Sequence, residues 1–294
     1  MGFESYHPGI NLIFFLSVIP AAILLKQPVF LMISYICAFA YSVRRGRRKT
    51  LIFDLCLIPL ILLFAWYYAA FHHFGVTVLW KNFIGNNMTK EAFLKGLTLG
   101  ISTASVLMWL SCLFSVFTAD KVVYLFGRIS PRLSLFLSIL LRMCPRIKAQ
   151  AKKIGTARRS IGRGVGQGNI FRRICNAFKI FSMLISWLIE ALGTLSDSMR
   201  SRGYLLKGRT AFSIYRFDNR DRSFVLGIFT CLALLLMGIL LGQTGITFDP
   251  RIHMNSITPL SAVFYLGYAV LCLLPMGLEI GGELHFRQLR KKTA

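Results

Sequence analysis

Two short arginine clusters carry the sharpest chemistry in this chain. They are Thr156-Ala157-Arg158-Arg159-Ser160 and Met199-Arg200-Ser201-Arg202-Gly203-Tyr204. Each sets arginine among small residues where a stretch of helical periodicity ends. A guanidinium is a planar fork of donors, and small neighbours leave it unobstructed. Such a tip can enter a groove on a partner and bind carboxylate or backbone oxygens bidentately. The plainer reading is a cation capping the negative end of a helix macrodipole. Residue types alone favour that reading for either cluster.

Other chemistries are missing from the sequence. There is no Gly-x-x-x-x-Gly-Lys-Ser/Thr, and the glycine-rich segment Gly162–Gly168 lacks both the lysine and a preceding strand, so it reads as a flexible turn. No His-Glu-x-x-His, Gly-x-Ser-x-Gly or Asp-rich phosphotransferase motif occurs. The seven cysteines form no Cys-x-x-Cys pair and no zinc-like spacing, and a disulfide framework is not expected. His72-His73 lacks further ligands and reads as a loop pair. Asp54 enters an apolar segment by only three residues and is expected to be solvated at the interface. Asn87-Met88-Thr89 fits a glycosylation sequon only in form. No cofactor and no metal is expected.

The elements that position the arginines follow from periodicity. Ser130-Pro131 reads as an N-cap and first helical position. The apolar run Leu133–Met143 follows, Pro145 breaks or kinks it, and Arg146–Ile161 continues as a basic amphipathic helix. After the glycine turn, Ile170, Ile174, Phe178, Phe181, Ile185 and Leu188 begin a stripe that runs on to Met199 at steps of three or four. That is one helix of ~30 residues or two in succession, and Gly203 can close it.

Around this block lie apolar segments at 10–25, 28–43, 51–71, 92–117, 224–241 and 258–275. The first two would each reach only ~24 Å, a little short of a hydrocarbon core of ~30 Å. Pro20 should kink the first of them, and Met1–Pro8 lacks the basic start of a signal peptide. The predicted class is all-α: a polytopic membrane protein of about six transmembrane helices with a cytoplasmic domain of amphipathic coupling helices. The expected boundaries are 1–118, 119–222 and 223–294.

Composition agrees. Of 294 residues 55% are apolar, and 35 Lys and Arg against 11 Asp and Glu leave a net charge of +24. So greasy a chain is neither a disordered polycation nor an ordinary soluble domain. If six segments alternate, residues 44–49, 119–222 and the C-terminal tail share one side and hold 30 of the 35 cations. Lys26, Lys81, Lys90, Lys95 and Arg251 are left for the other. By the positive-inside rule both termini and the basic middle are cytoplasmic. Most of the 21 cations of the middle need no role beyond solvation and contact with anionic lipids. Nucleic acid is not an expected partner.

Leu141-Arg142-Met143-Cys144-Pro145 resembles the Leu-Arg-Phe-x-Pro element of the transmembrane T component of energy-coupling factor (ECF) transporters. In that family an amphipathic helix follows and ends in an Ala-Arg-Gly or Ala-Arg-Ser motif, and residues 146–160 are similar to it. A second motif, in a context like Ala-Met-x-Ala-Arg-Gly-Tyr with Arg-Thr shortly after, resembles Ser198-Met199-Arg200-Ser201-Arg202-Gly203-Tyr204 with Arg209-Thr210. Leu113-Phe114, Thr118, Leu125 and Pro131 fit the approach to this region; His7-Pro8 and Gln27-Pro28 match more weakly. The resemblance covers roughly residues 5–220. Three departures stand out. Ser201 replaces the usual Ala, either Arg158 or Arg159 can be the first motif's arginine, and residues 224–294 carry two spans where the family usually has fewer.

The resemblance implies a multi-pass subunit of a prokaryotic cell membrane that is not itself an enzyme. Two cytoplasmic ABC-type ATPases would bind Ala157, Arg158, Arg159, Ser160, Ser201, Arg202 and Gly203. A separate membrane subunit, the S component, would capture a vitamin or metal and choose the substrate. Its toppling, driven by ATP through the coupling helices, would release cargo inside. A membrane enzyme that grips an anionic lipid or isoprenoid phosphate is the alternative. It would need a base or metal site that the sparse acids Glu190, Asp197, Asp218 and Asp221 do not obviously form.

Overall fold

The computed structural model describes all residues except 1–2, 47, 73–74, 82–86, 205–214, 216, 249–251, 255–257 and 294. The expected all-α class is found. Helices α1 (Pro8–Leu24), α2 (Pro28–Arg45), α3 (Arg48–Phe71), α4 (Lys90–Val116), α5 (Ala119–Ile129), α6 (Pro131–Ser160), α7 (Ile170–Ser201), α8 (Asn219–Leu240) and α9 (Pro259–Thr293) make up most of the chain. Among the described residues, strands occur only in two small hairpins, β1 (Val78–Lys81) with β2 (Asn87–Thr89) and β3 (Ile246–Thr247) with β4 (His253–Met254). The chain divides into two compact units, Met1–Thr118 with Tyr215–Ala294, and Ala119–Ile214.

The first unit is a bundle of α1–α4, α8 and α9 with a dense aromatic centre. Trp109 of α4 is fully buried and lies 5.9 Å from Phe14, 6.4 Å from Phe15 and 6.3 Å from Tyr41 between ring centroids. Its indole N–H donates to Ser34 Oγ at 3.2 Å, so the polar handle of a buried tryptophan is satisfied. Gly96 and Gly100 let α4 approach α3: a Cβ at Gly96 would come within 2.9 Å of the Ala65 carbonyl oxygen. Proline opens α1 and α2, where its missing N–H costs nothing. The His7 ring Nδ1 caps α1 by accepting from Gly9 N–H at 3.1 Å.

One end of this bundle is tied by ions. Glu279 of α9 accepts from Arg45 at 3.1 Å and from the Tyr41 hydroxyl at 3.5 Å, and Arg44 lies 3.7 Å away. Arg44 pairs also with Glu283 at 2.7 Å, and Arg45 with Glu4. Two cations read from the sequence as topology signals thus also join α2 to α9 and to the N-terminal turn Phe3–Ser5.

Asp54 corrects a sequence reading. It is not solvated as expected: its exposure is 0%. Depth along α3 was shallow as expected, but Asp54 lies on the face of α3 that turns inward with Leu57, Ile61 and Ala65.

Among the described residues, α3, α4, α7, α8 and α9 are long and apolar enough to cross a membrane, and α1 is a shorter apolar helix. The sequence had not counted α7. It differs from the other four in having no buried residue. At roughly 100° per residue its polar side chains Arg172, Lys179, Glu190 and Asp197 fall opposite the apolar stripe. α2 has 18 residues and ends in Arg44-Arg45.

In the second unit α5 packs on α6 and α6 on α7. α6 runs as one helix through Pro145, so of the break or kink expected there the break is absent. Proline deletes one N–H of a 30-residue ladder, and the turns on both sides hold. α7 is a single helix of 32 residues.

Candidate functional site: two arginine-bearing helix ends

Both arginine clusters lie in the second unit, and both helices end in the same way. At the end of α6, Gly162 N–H donates to the Arg159 carbonyl at 3.1 Å and Arg163 N–H to the Arg158 carbonyl at 2.9 Å. At the end of α7, Gly203 N–H donates to the Arg200 carbonyl at 3.1 Å and Tyr204 N–H to the Met199 carbonyl at 3.2 Å. This pair of bonds is the Schellman closure, and it needs a left-handed residue after the cap. Gly162 and Gly203 supply it, each at φ 74°. The last helical residues are serines in both cases. Ser160 Oγ donates back to the Ala157 carbonyl and Ser201 Oγ to the Ser198 carbonyl, both at 2.9 Å. Their hydroxyls are thereby folded onto their own helices.

Aligning the two closures pairs Arg159-Ser160-Ile161-Gly162 with Arg200-Ser201-Arg202-Gly203. Sequence alone did not show this register, although Gly162 and Gly203 carried its signal. The closure is not itself a mark of function. α8 ends identically, with Gly242 at φ 68° and Gln243 N–H on the Gly238 carbonyl at 3.1 Å, and carries no arginine there.

The two arginines of the first tip have different surroundings. Arg158 is half-buried and turned back on its own unit: Nε reaches the Arg163 carbonyl at 3.5 Å and Nη1 the Met183 sulfur at 3.9 Å. Arg159 is exposed, and its carbonyl accepts from the Gln167 amide, which helps order the glycine turn. Gln167 also accepts from Gly164 N–H at 3.0 Å, and Asn176 of α7 donates to the Gly164 carbonyl at 3.3 Å. The turn expected to be flexible is thus cross-linked to α7. Arg202 is exposed at the cap of α7, and Ala157, Ser160 and Ser201 are exposed as well. Arg209-Thr210 lies outside the described residues.

Among the described residues no group of three His, Cys, Asp or Glu could hold a metal. His72 stacks on Tyr68 at 4.0 Å and bonds the Tyr68 carbonyl, and His73 lies outside the described residues. The cysteines are all free.

What these helix ends belong to is decided by comparison with known proteins. Residues 4–212 match the family model of the cobalt transport protein CbiQ. The chain belongs to the CbiQ family. The match includes both arginine tips and stops before α8 and α9. Curated relatives are named energy-coupling factor transporter transmembrane proteins. That of Lacticaseibacillus paracasei is 32% identical over 108 residues, 36% of this chain and 40% of the relative. That of Listeria monocytogenes serotype 1/2a is 32% identical over 90 residues, 30% of this chain and 34% of the relative. That of Lactococcus lactis subsp. cremoris is 30% identical over 106 residues, 36% and 40% of the two chains. The chain thus spans two fifths or less of the length of these relatives. With its apolar helices, this CbiQ-family chain is a multi-pass membrane protein.

Proposed function

We propose that the chain is the T component of an ECF-type importer, a scaffold that couples two cytoplasmic ABC-type ATPases to a separate S component carrying a vitamin or metal. The observation that carries this reading is the twin construction of the α6 and α7 ends. Each presents an exposed arginine, beside a small residue, at a helix end fixed by a left-handed glycine. A rigid tip loses little entropy on docking, and a planar guanidinium suits bidentate contact with acidic or carbonyl oxygens of a partner. The curated relatives' names, which describe energy-coupling factor transporters, support the same reading.

Within this proposal Arg159 and Arg202 are the coupling arginines; the two closures pair Arg159 with Arg200 and Ile161 with Arg202, so the two arginines do not hold equivalent positions, and Arg202 is taken for the Ser201-Arg202-Gly203 motif it belongs to. Arg158 is occupied within its own unit and acts as a positioning residue. Ala157, Ser160, Ser201 and Gly203 keep the tips narrow. The 30-to-5 division of cations supports placing the basic unit and both termini in the cytoplasm, with anionic lipid beside them. The chain itself performs no catalysis; ATP is hydrolysed by the partners. The family match does not favour a lipid-phosphate enzyme.

The test is co-purification with the cognate ATPases, together with substrate uptake, for the parent chain and the double variant Arg159→Glu/Arg202→Glu. Loss of both is expected. Intact assembly with intact uptake in the double variant would overturn the proposal.

A further inference from the structure

A groove of about 260 Å³ opens on the first unit, lined by Tyr6, Arg220, Ser223, Phe224, Gly227, Leu274 and Leu278. It is smaller than pockets that enclose a cofactor-sized ligand, which run from roughly 300 Å³ upward. Its polarity is graded. Residues 220, 223, 224 and 227 lie on one face of α8, with the charge and the hydroxyl in the first turns and glycine deepest. Gly238 lies against Phe264 and Gly267 against Leu234, and this antiparallel register sets Gly227 level with Leu274 and Ser223 level with Leu278. The groove therefore passes from Arg220 at the start of a membrane helix to an apolar trough one to two turns further in. Phe224 closes its floor, 7% exposed and packed 5.4 Å from Tyr6. A Cβ on Gly227 would meet nothing within 4 Å, so the missing side chain leaves open space.

We propose that this groove binds one phospholipid of the surrounding leaflet, its phosphate on Arg220 and one acyl chain along Gly227, Leu274 and Leu278. The graded lining matches an amphiphile at both ends, a phosphate at the guanidinium and a hydrocarbon in the trough. Among the partners of Arg220 is Asp218, 3.4 Å away, and both side chains are more than 60% exposed. An exposed pair of this kind is held weakly and can exchange for a phosphate. Asp221 is buried and accepts from the Asp218 N–H at 3.1 Å, so it caps α8 and does not enter the groove.

The test is native mass spectrometry of the purified full chain in detergent, titrated with phosphatidylglycerol, with inorganic phosphate as a separate arm. The parent chain is expected to retain one phosphatidylglycerol and no phosphate. Gly227→Leu fills the trough without a clash and should weaken retention roughly tenfold, about 1.4 kcal/mol. Arg220→Gln should weaken it by a smaller factor. Ala233→Leu, exposed on another face of α8, should change nothing. Equal lipid retention by Gly227→Leu and the parent would overturn the assignment, as would retention of phosphate in place of lipid. The measurement uses no ATPase, so it stands or falls apart from the coupling reading.

Discussion

The two units spend their apolar residues in opposite ways. The first gathers them inward: Phe14, Phe15, Tyr41, Met108 and Trp109 have no accessible surface. In the second, only Lys121, Met143 and Gly164 are buried among the residues whose burial is described. Its large apolar side chains, such as Phe171 at 78% and Phe178 at 69%, stand exposed along α7. A patch of that extent marks a surface made for contact rather than a core. The first unit is built around a buried core, whereas the second leaves most of its apolar side chains on its surface.

Substitutions can break or sharpen this contrast. The largest effect belongs in the aromatic centre. Trp109→Ala removes the ring that Phe14, Phe15 and Tyr41 surround, and should cost about 3–5 kcal/mol in unfolding from a membrane mimic. Glu279→Ala removes the carboxylate that Arg44, Arg45 and Tyr41 share at the ion-tied end; Arg45 keeps Glu4 and Arg44 keeps Glu283, so the loss should be about 1–2 kcal/mol. At the tips, Gly162→Val or Gly203→Val forces a branched residue into positive φ. Each should cost about 1–2 kcal/mol locally and speed amide exchange in the last turns of α6 or α7, with the first unit unaffected. Phe178→Ser should move the unfolding of the isolated chain by less than about 0.5 kcal/mol. A multi-kcal loss there would show that α7 belongs to a folded core, and the contrast between the units would fail.

Much of the fold could be read from sequence because its signals are local. Proline at the helix starts, glycine after the last turns and the stripe on α7 all act within a few residues. What escaped was long-range. Arg44 and Arg45 read as topology markers because Glu279 and Glu283 lie more than 230 residues away. Asp54 was misplaced because depth in a segment can be counted, but the direction of a face depends on what packs against it. Asp54→Asn should therefore be nearly neutral, within about 1 kcal/mol, in contrast to Glu279→Ala. For the candidate site, the sequence left open whether Arg158 or Arg159 is the first motif's arginine. The proposed choice of Arg159 rests on Met183, 25 positions from Arg158, which lies beside the first arginine while the second is exposed.

The ends of α6 and α7 are the proposed ATPase docking points. The most direct measurement places a photo-crosslinking residue singly at positions 159, 202, 158 and 171 in a chain co-expressed with its ATPases. ATPase adducts are expected from 159 and 202, few from 158 and none from 171. No adduct from either tip, or equal adducts from 171, would contradict that proposal.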